Sequence, residues 1–145
     1  MACSDTTCKN TPNYQLCVSI LSKDPQSTTG DIRILGLILV DAIKSKAEET
    51  VNLINELKKT NPELMSQLNH CSVLYYAVLE ADIPEAIEAL TKGGPKFAEN
   101  GVADAVVEAQ ECEMGFNGSN SPLSGANKSV REISNVAREV IRMLL

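Results

Sequence analysis

The chain has 145 residues, 43% of them hydrophobic, and carries 19 acidic against 13 basic residues for a net charge of −6. That balance disfavours nucleic acid and anionic membranes, both of which are met through basic surfaces. Tryptophan is absent and aromatics make up only 3%, so the core is expected to be Leu, Ile, Val and Ala in packed helices, within one domain over 1–145.

Met1-Ala2 leads directly into a polar segment with no signal peptide. If the disulfide reading below holds, the chain is a mature form and these residues are a cloning remnant. Cys8 and Cys17 flank turn residues, and the spacing reads as a disulfide closing a small hairpin over 3–29. Thr11-Pro12 reads as a cap and first helical residue, followed by Tyr14, Cys17, Val18 and Leu21 on one face. Such a hairpin buries little by itself, so its apolar side must pack on something else. Cys3 is left over, in a terminal stretch.

The first long helix is expected from Gly30-Asp31 to Lys59. Ile32, Leu35, Leu39, Ile43, Ala47, Val51, Ile54 and Leu57 recur at three and four. Asn61-Pro62 then reads as an N-cap and first position of a second helix. That helix carries Leu64, Leu68, Cys71, Tyr75, Val78 and Leu79, with a kink or break near Asp82-Ile83 because of Pro84. Gly93-Gly94 ends it. A third helix runs from Pro95 to Phe116, with Val102, Val106, Ala109, Cys112 and Phe116 in register. The fourth follows Ser121-Pro122 and carries Val130, Ile133, Ala137, Val140, Ile141 and Leu144. Short links between long amphipathic helices predict an all-α, up-down-up-down antiparallel four-helix bundle over 30–145, preceded by the disulfide-closed helical hairpin. No apolar run reaches the ~18 residues of a membrane span.

Cys71 and Cys112 fall on apolar stripes of different helices and read as a second disulfide, which implies an oxidising compartment. Counted from the Gly93-Gly94 turn they lie about 33 and 27 Å deep at ~1.5 Å per residue. The break at Pro84, or an irregular stretch near Gly101, would absorb that one-turn mismatch. A zinc site is disfavoured because no four ligands cluster. His70 and Cys71, adjacent on a helix, point in different directions and make no catalytic couple.

No catalytic set is expected. The chain has no phosphate loop, no Gly-x-Ser-x-Gly and no His-Glu-x-x-His. Glu48, Glu49, Glu85, Glu88, Glu108, Glu111 and Glu113 read as solvated helix faces. Without inward Glu-x-x-His pairs, a di-metal bundle is excluded, and neither metal nor cofactor is expected. Pro95-Lys96-Phe97 stands out at one tip of the bundle. It reads either as a helix start with Phe97 tucked back as a staple, or as a stiff basic-aromatic tip that enters another protein's pocket. Asn117 and Asn127 each open an Asn-x-Ser pattern, making them candidate glycosylation sites.

The run from Thr6 to Cys17, Gly30-Asp31, Val40-Asp41-Ala42-Ile43-Lys44, Pro84 to Leu90, and Pro95-Lys96-Phe97 together resemble the plant invertase and pectin methylesterase inhibitor family, most closely its invertase inhibitors. The resemblance covers residues 4–145, and Cys3 departs from the family's four-cysteine pattern. It implies a proteinaceous inhibitor of acid invertase and not an enzyme, with Pro95, Lys96 and Phe97 blocking the sucrose cleft. By the same resemblance the protein is secreted to the apoplast or held in the vacuole, and acts as a monomer in a one-to-one complex. The alternatives are a pectin methylesterase inhibitor that uses a helix face, and a non-inhibitory structural or storage protein.

Overall fold

A computed structural model describes residues 3–118 and 121–145, and every regular element among them is helical. The order is α1 (Cys3–Cys8), α2 (Tyr14–Ser22), α3 (Ile32–Thr60), α4 (Met65–Ala77), α5 (Ile83–Lys92), α6 (Pro95–Met114) and α7 (Ser124–Arg142). α4 and α5 act as one leg of the bundle beside α3, α6 and α7. α6 packs on α7 and α5, and α3 on α7, α4 and α5. The expected stripes meet at the centre, where Leu35, Leu39, Ile43, Leu68, Val130 and Ile141 are fully buried. Among the described residues, no helix is long and apolar enough to cross a membrane.

The N-terminal hairpin packs on α3 and α7, and Cys8, Cys17 and Leu21 are continuous with the bundle core. Cys8 and Cys17 are joined, with Cα atoms 5.5 Å apart. The cap of α2 differs from expectation. Asn13, not Thr11, accepts the Leu16 N–H through its side chain, at 3.1 Å. Thr11 instead donates to the Cys8 carbonyl at 2.8 Å, closing the turn after α1. The Cys3 side chain, Met1 and Ala2 lie outside the described residues.

α3 begins where Gly30 takes a left-handed φ of 73°, after which Asp31 accepts the Arg33 N–H at 2.9 Å. Lys58 and Lys59 fall in its last turn, where cations complement the helix dipole. Asn61 does not cap the next helix. Its side chain makes no capping bond, and Pro62–Leu64 form a 3₁₀ turn before α4 starts.

Pro84 does not break its helix. The turn Val78–Asp82 widens to a π turn, in which the Ile83 N–H reaches the Val78 carbonyl five residues back. A proline ring collides with the carbonyl four residues before it in an ordinary α-helix; the wider turn accommodates it and consumes an extra residue. That extra residue falls on the longer arm and takes up about 1.5 Å of the roughly 6 Å difference in cysteine depth. Cys71 and Cys112 form a disulfide with Cα atoms 4.8 Å apart. α6 comes close to the π turn at Gly101, where a Cβ would lie 2.8 Å from the Asp82 carbonyl oxygen. Only glycine permits that approach.

The surface reading of two carboxylates needs correction. Glu113 accepts from Ser124 and from the Asn127 amide. Burial pushes it upward, but the hydrogen bonds from Ser124, Asn127 and Ser121 prevail and hold it below the usual carboxylate range. Glu108 faces Asp82 across the α5–α6 joint. Asp82 is 6% exposed, and its Oδ2 and the Oε1 of Glu108 are both buried without a hydrogen-bond partner. A proton held on either carboxyl would give both oxygens a partner. Burial first, then the hydrogen bond and charge of Glu108, push Asp82 up to about 9; burial also raises Glu108.

The sign of the effect on folding follows. A carboxyl raised in the folded state contributes stability that is fully present below its unfolded value, ~4, and is lost as pH climbs toward the folded value. Scanning calorimetry should therefore find a higher melting temperature at pH 5 than at pH 8. The slope cannot exceed about 1.4 kcal/mol per pH unit for one retained proton. Asp82→Asn, whose amide can donate to Glu108, should flatten that dependence. An unchanged slope in the variant would show that the pair does not hold the proton.

Candidate functional site

The end of the bundle where α5 turns into α6 is built by two glycines with different tasks. Gly93 adopts a left-handed φ of 97° and ends α5. Both Gly93 and Gly94 donate their N–H groups to the Ala89 carbonyl, at 2.9 and 2.8 Å. Gly94 has φ −118°, a value open to any residue, so its backbone does not require glycine. A Cβ there would lie 3.3 Å from Cδ2 of Phe97, so any larger residue would push the ring outward by a few tenths of an ångström. The bare Gly94 is the seat of the phenyl ring.

Pro95 takes the first position of α6, where a missing N–H costs nothing. The Phe97 N–H donates to the Gly94 carbonyl at 3.0 Å. Phe97 is nevertheless 61% exposed. It touches its own turn on one side and leaves the rest of the ring to solvent, so it is not the buried staple of a plain helix start. Beside it runs a groove of about 380 Å³ with Ala89 on its wall and Glu85, Glu88 and Lys92 around it.

The Lys96 ammonium lies 2.8 Å from Oε1 of Glu99, one turn further along α6. Glu99 is only 6% exposed at its side chain, whereas Lys96 is 67% exposed. Arg138 and Arg142 of α7 approach the other carboxylate oxygen through their Nε atoms, at 3.5 and 3.3 Å. Arg142 also reaches Glu139 at 3.4 Å. Three cations thus meet two carboxylates, and one of those carboxylates is buried. The hydrogen bond from Lys96 first, then the charges of Lys96 and Arg142 and the Arg138 contact, overcome burial and hold Glu99 below the ordinary glutamate range. Glu99 therefore favours its ionised form more strongly than a free glutamate does.

Pro95, Lys96 and Phe97 fall together in one turn at this end. Glu99, Arg138 and Arg142 were not singled out from the sequence, although a signal was available. Glu99 follows Lys96 at i+3, and in an up-down bundle the last turn of α7 returns beside the first turn of α6. The candidate glycosylation sites separate. Asn117 is exposed in the loop after α6, with φ 51°; Ser119 of its pattern lies outside the described residues. Asn127 is 1% exposed. Its amide nitrogen donates to Glu113 at 2.8 Å and lies 3.3 Å from the Cys112 sulfur. Its carbonyl accepts from the Tyr75 hydroxyl at 2.7 Å. A glycan on that nitrogen is incompatible with this fold, which corrects the expectation for Asn127. Among the described residues, no group of three His, Cys, Asp or Glu side chains is placed to hold a metal ion.

The sequence pattern of the plant invertase/pectin methylesterase inhibitor family matches residues 3–143. The chain belongs to that family. Its members' description is that of inhibitors, not enzymes. Over 136 residues, 94% of this chain, it is 53% identical to an Arabidopsis thaliana protein named cell wall / vacuolar inhibitor of fructosidase 1, and it spans 66% of that protein's length. It is 29% identical over 113 residues, 77% of this chain, to a pectinesterase inhibitor of Actinidia deliciosa, of which it spans 60%. The inhibitor fold itself is seen in the crystal structure of a mutant form of an Arabidopsis pectin methylesterase inhibitor. That structure superposes with a TM-score of 0.84 over 100% of this chain and 99% of the other, at 18% identity.

Proposed function

We propose that this family member inhibits an acid invertase, a β-fructofuranosidase, by inserting the Pro95-Lys96-Phe97 tip into the sucrose-binding cleft. The observation that carries the reading is an aromatic ring left 61% exposed on a proline-stiffened helix start, beside a lysine ammonium at the same tip. Retaining glycosidases align two carboxyl groups about 5–5.5 Å apart, and such a cleft attracts a cation. Lys96 supplies the charge and Phe97 the apolar anchor, while Pro95 limits the ordering cost on binding. The likeness to the fructosidase inhibitor of Arabidopsis, at 53% identity, supports this target class. We further propose a monomeric inhibitor that binds one enzyme molecule in the cell wall or vacuole, where two disulfides persist.

A second reading, inhibition of pectin methylesterase through a helix face, draws on the exposed Val73 and Tyr76 of α4 and Met114 of α6. Sucrose hydrolysis and pectin demethylation, assayed side by side with the same preparation, separate the two. Loss of invertase activity with pectin demethylation untouched is the expected result. The reverse outcome would replace the proposal with the helix-face reading.

A further inference from the structure

We infer that Glu99 is a positioning residue for the inhibitory tip: buried between Arg138 and Arg142, it fixes the pose of Lys96 while leaving the ammonium able to take a carboxylate of the target. The inference rests on the proposed role of the tip in inhibiting invertase, and adds the device that prepares its lysine.

Lysine has a long, flexible side chain, and ordering such a side chain on binding weakens a complex. Here the ordering is done before the partner arrives. One of the three ammonium N–H groups is committed to Oε1 of Glu99 at 2.8 Å, and two donors remain for a partner. A lone glutamate beside Lys96 would defeat the purpose by cancelling its charge. Two features prevent that. Glu99 is shared, with Arg138 and Arg142 at 3.5 and 3.3 Å from its other oxygen. It is also recessed, 6% exposed against 67% for Lys96, so the charge presented outward is that of the lysine. Leaving a carboxylate buried is costly unless cations surround it. The arginines meet that cost on the α7 side, so Lys96 need not leave a bare charge behind when it engages a target. Both arginines are about half exposed and lie on the same end of the bundle as the tip.

A double-mutant cycle on inhibition of sucrose hydrolysis at pH 5 tests the inference. Glu99→Gln keeps the shape and removes the charge. Glu99→Asp keeps the charge between the arginines but draws it back by one methylene from Lys96. Each should weaken inhibition about five- to tenfold, the effect of releasing one rotamer-rich side chain. On a Lys96→Ala background neither should weaken it further. A purely structural glutamate would instead weaken both backgrounds alike, and that result overturns the inference. Parental inhibition by Glu99→Asp and Glu99→Gln, with Lys96→Ala impaired, overturns it while leaving the tip proposal intact. No effect of Lys96→Ala itself removes both.

Should Glu99→Gln fail to fold, Glu99→Asp and side-chain relaxation of the free protein decide. The Lys96 Cε–Nζ axis should be ordered in the parent and mobile in Glu99→Asp. A mobile axis in the parent would show that no held pose exists.

Discussion

Phe97→Ala and Lys96→Ala are expected to relieve inhibition of invertase by about 30-fold or more, without a matching loss of fold stability. A central aromatic anchor carries ~2 kcal/mol or more of binding free energy, which converts to that factor. Truncating one partner of a buried charge pair costs ~2–5 kcal/mol. Phe97 is 61% exposed in the free protein, so its removal uncovers little core and the melting temperature of Phe97→Ala should stay close to the parent's; Lys96→Ala should lose only what its single ion pair with Glu99 contributes. Inhibition should be competitive, with high sucrose protecting the enzyme. If both alanine variants inhibit as well as the parent, the tip is not the site. If Phe97→Ala unfolds the protein with affinity unchanged, the ring serves the helix start.

Removing the Cys71–Cys112 bond is expected to cost about 4 kcal/mol, against about 3 kcal/mol for Cys8–Cys17. The difference reflects the loop each closes, 41 against 9 residues in separation, through the chain entropy of the unfolded state. The longer bond also joins a polar network in the core, since Asn127 contacts the Cys112 sulfur and the Tyr75 hydroxyl. Urea unfolding of paired Cys→Ala variants measures both losses, and the larger should lower the melting temperature by roughly 10 °C. An equal or greater loss for the N-terminal pair would mean that hairpin contacts, not the long loop, dominate.

The helices were legible because their apolar spacing is regular and their ends are marked by Gly, Pro and Asp. Leu35, Leu39, Ile43, Ala47 and Ile54 are buried as their period predicts. What failed were one feature decided by a neighbouring helix and two decided by competing local hydrogen bonds. Pro84 signals interruption in isolation, but the π turn beneath it and the bare Gly101 opposite settle the matter by packing. Thr11 and Asn61 have the chemistry of caps, yet each spends its side chain elsewhere. The tip was legible as a motif: Phe97 is a conspicuous aromatic in a turn that would ordinarily be polar. The buried carboxylate behind it was only faintly marked, by the i+3 spacing of Lys96 and Glu99, which many surface pairs share. Only the return of α7 reveals the two arginines that enclose it.

The burial of Asn127 also has a consequence for how the chain is made. Oligosaccharide transfer acts on unfolded chain, and Asn127-Lys128-Ser129 remains an acceptor until the helices close over it. In any cell that passes this chain through its secretory pathway, folding and sugar attachment compete for the same amide. A molecule that acquires the sugar first cannot bury that nitrogen between Glu113 and the disulfide, so its helices cannot close as they do here. The speed of helix closure over Asn127 then bears on the yield of folded protein. Replacing Ser129 would end the competition without touching the buried amide.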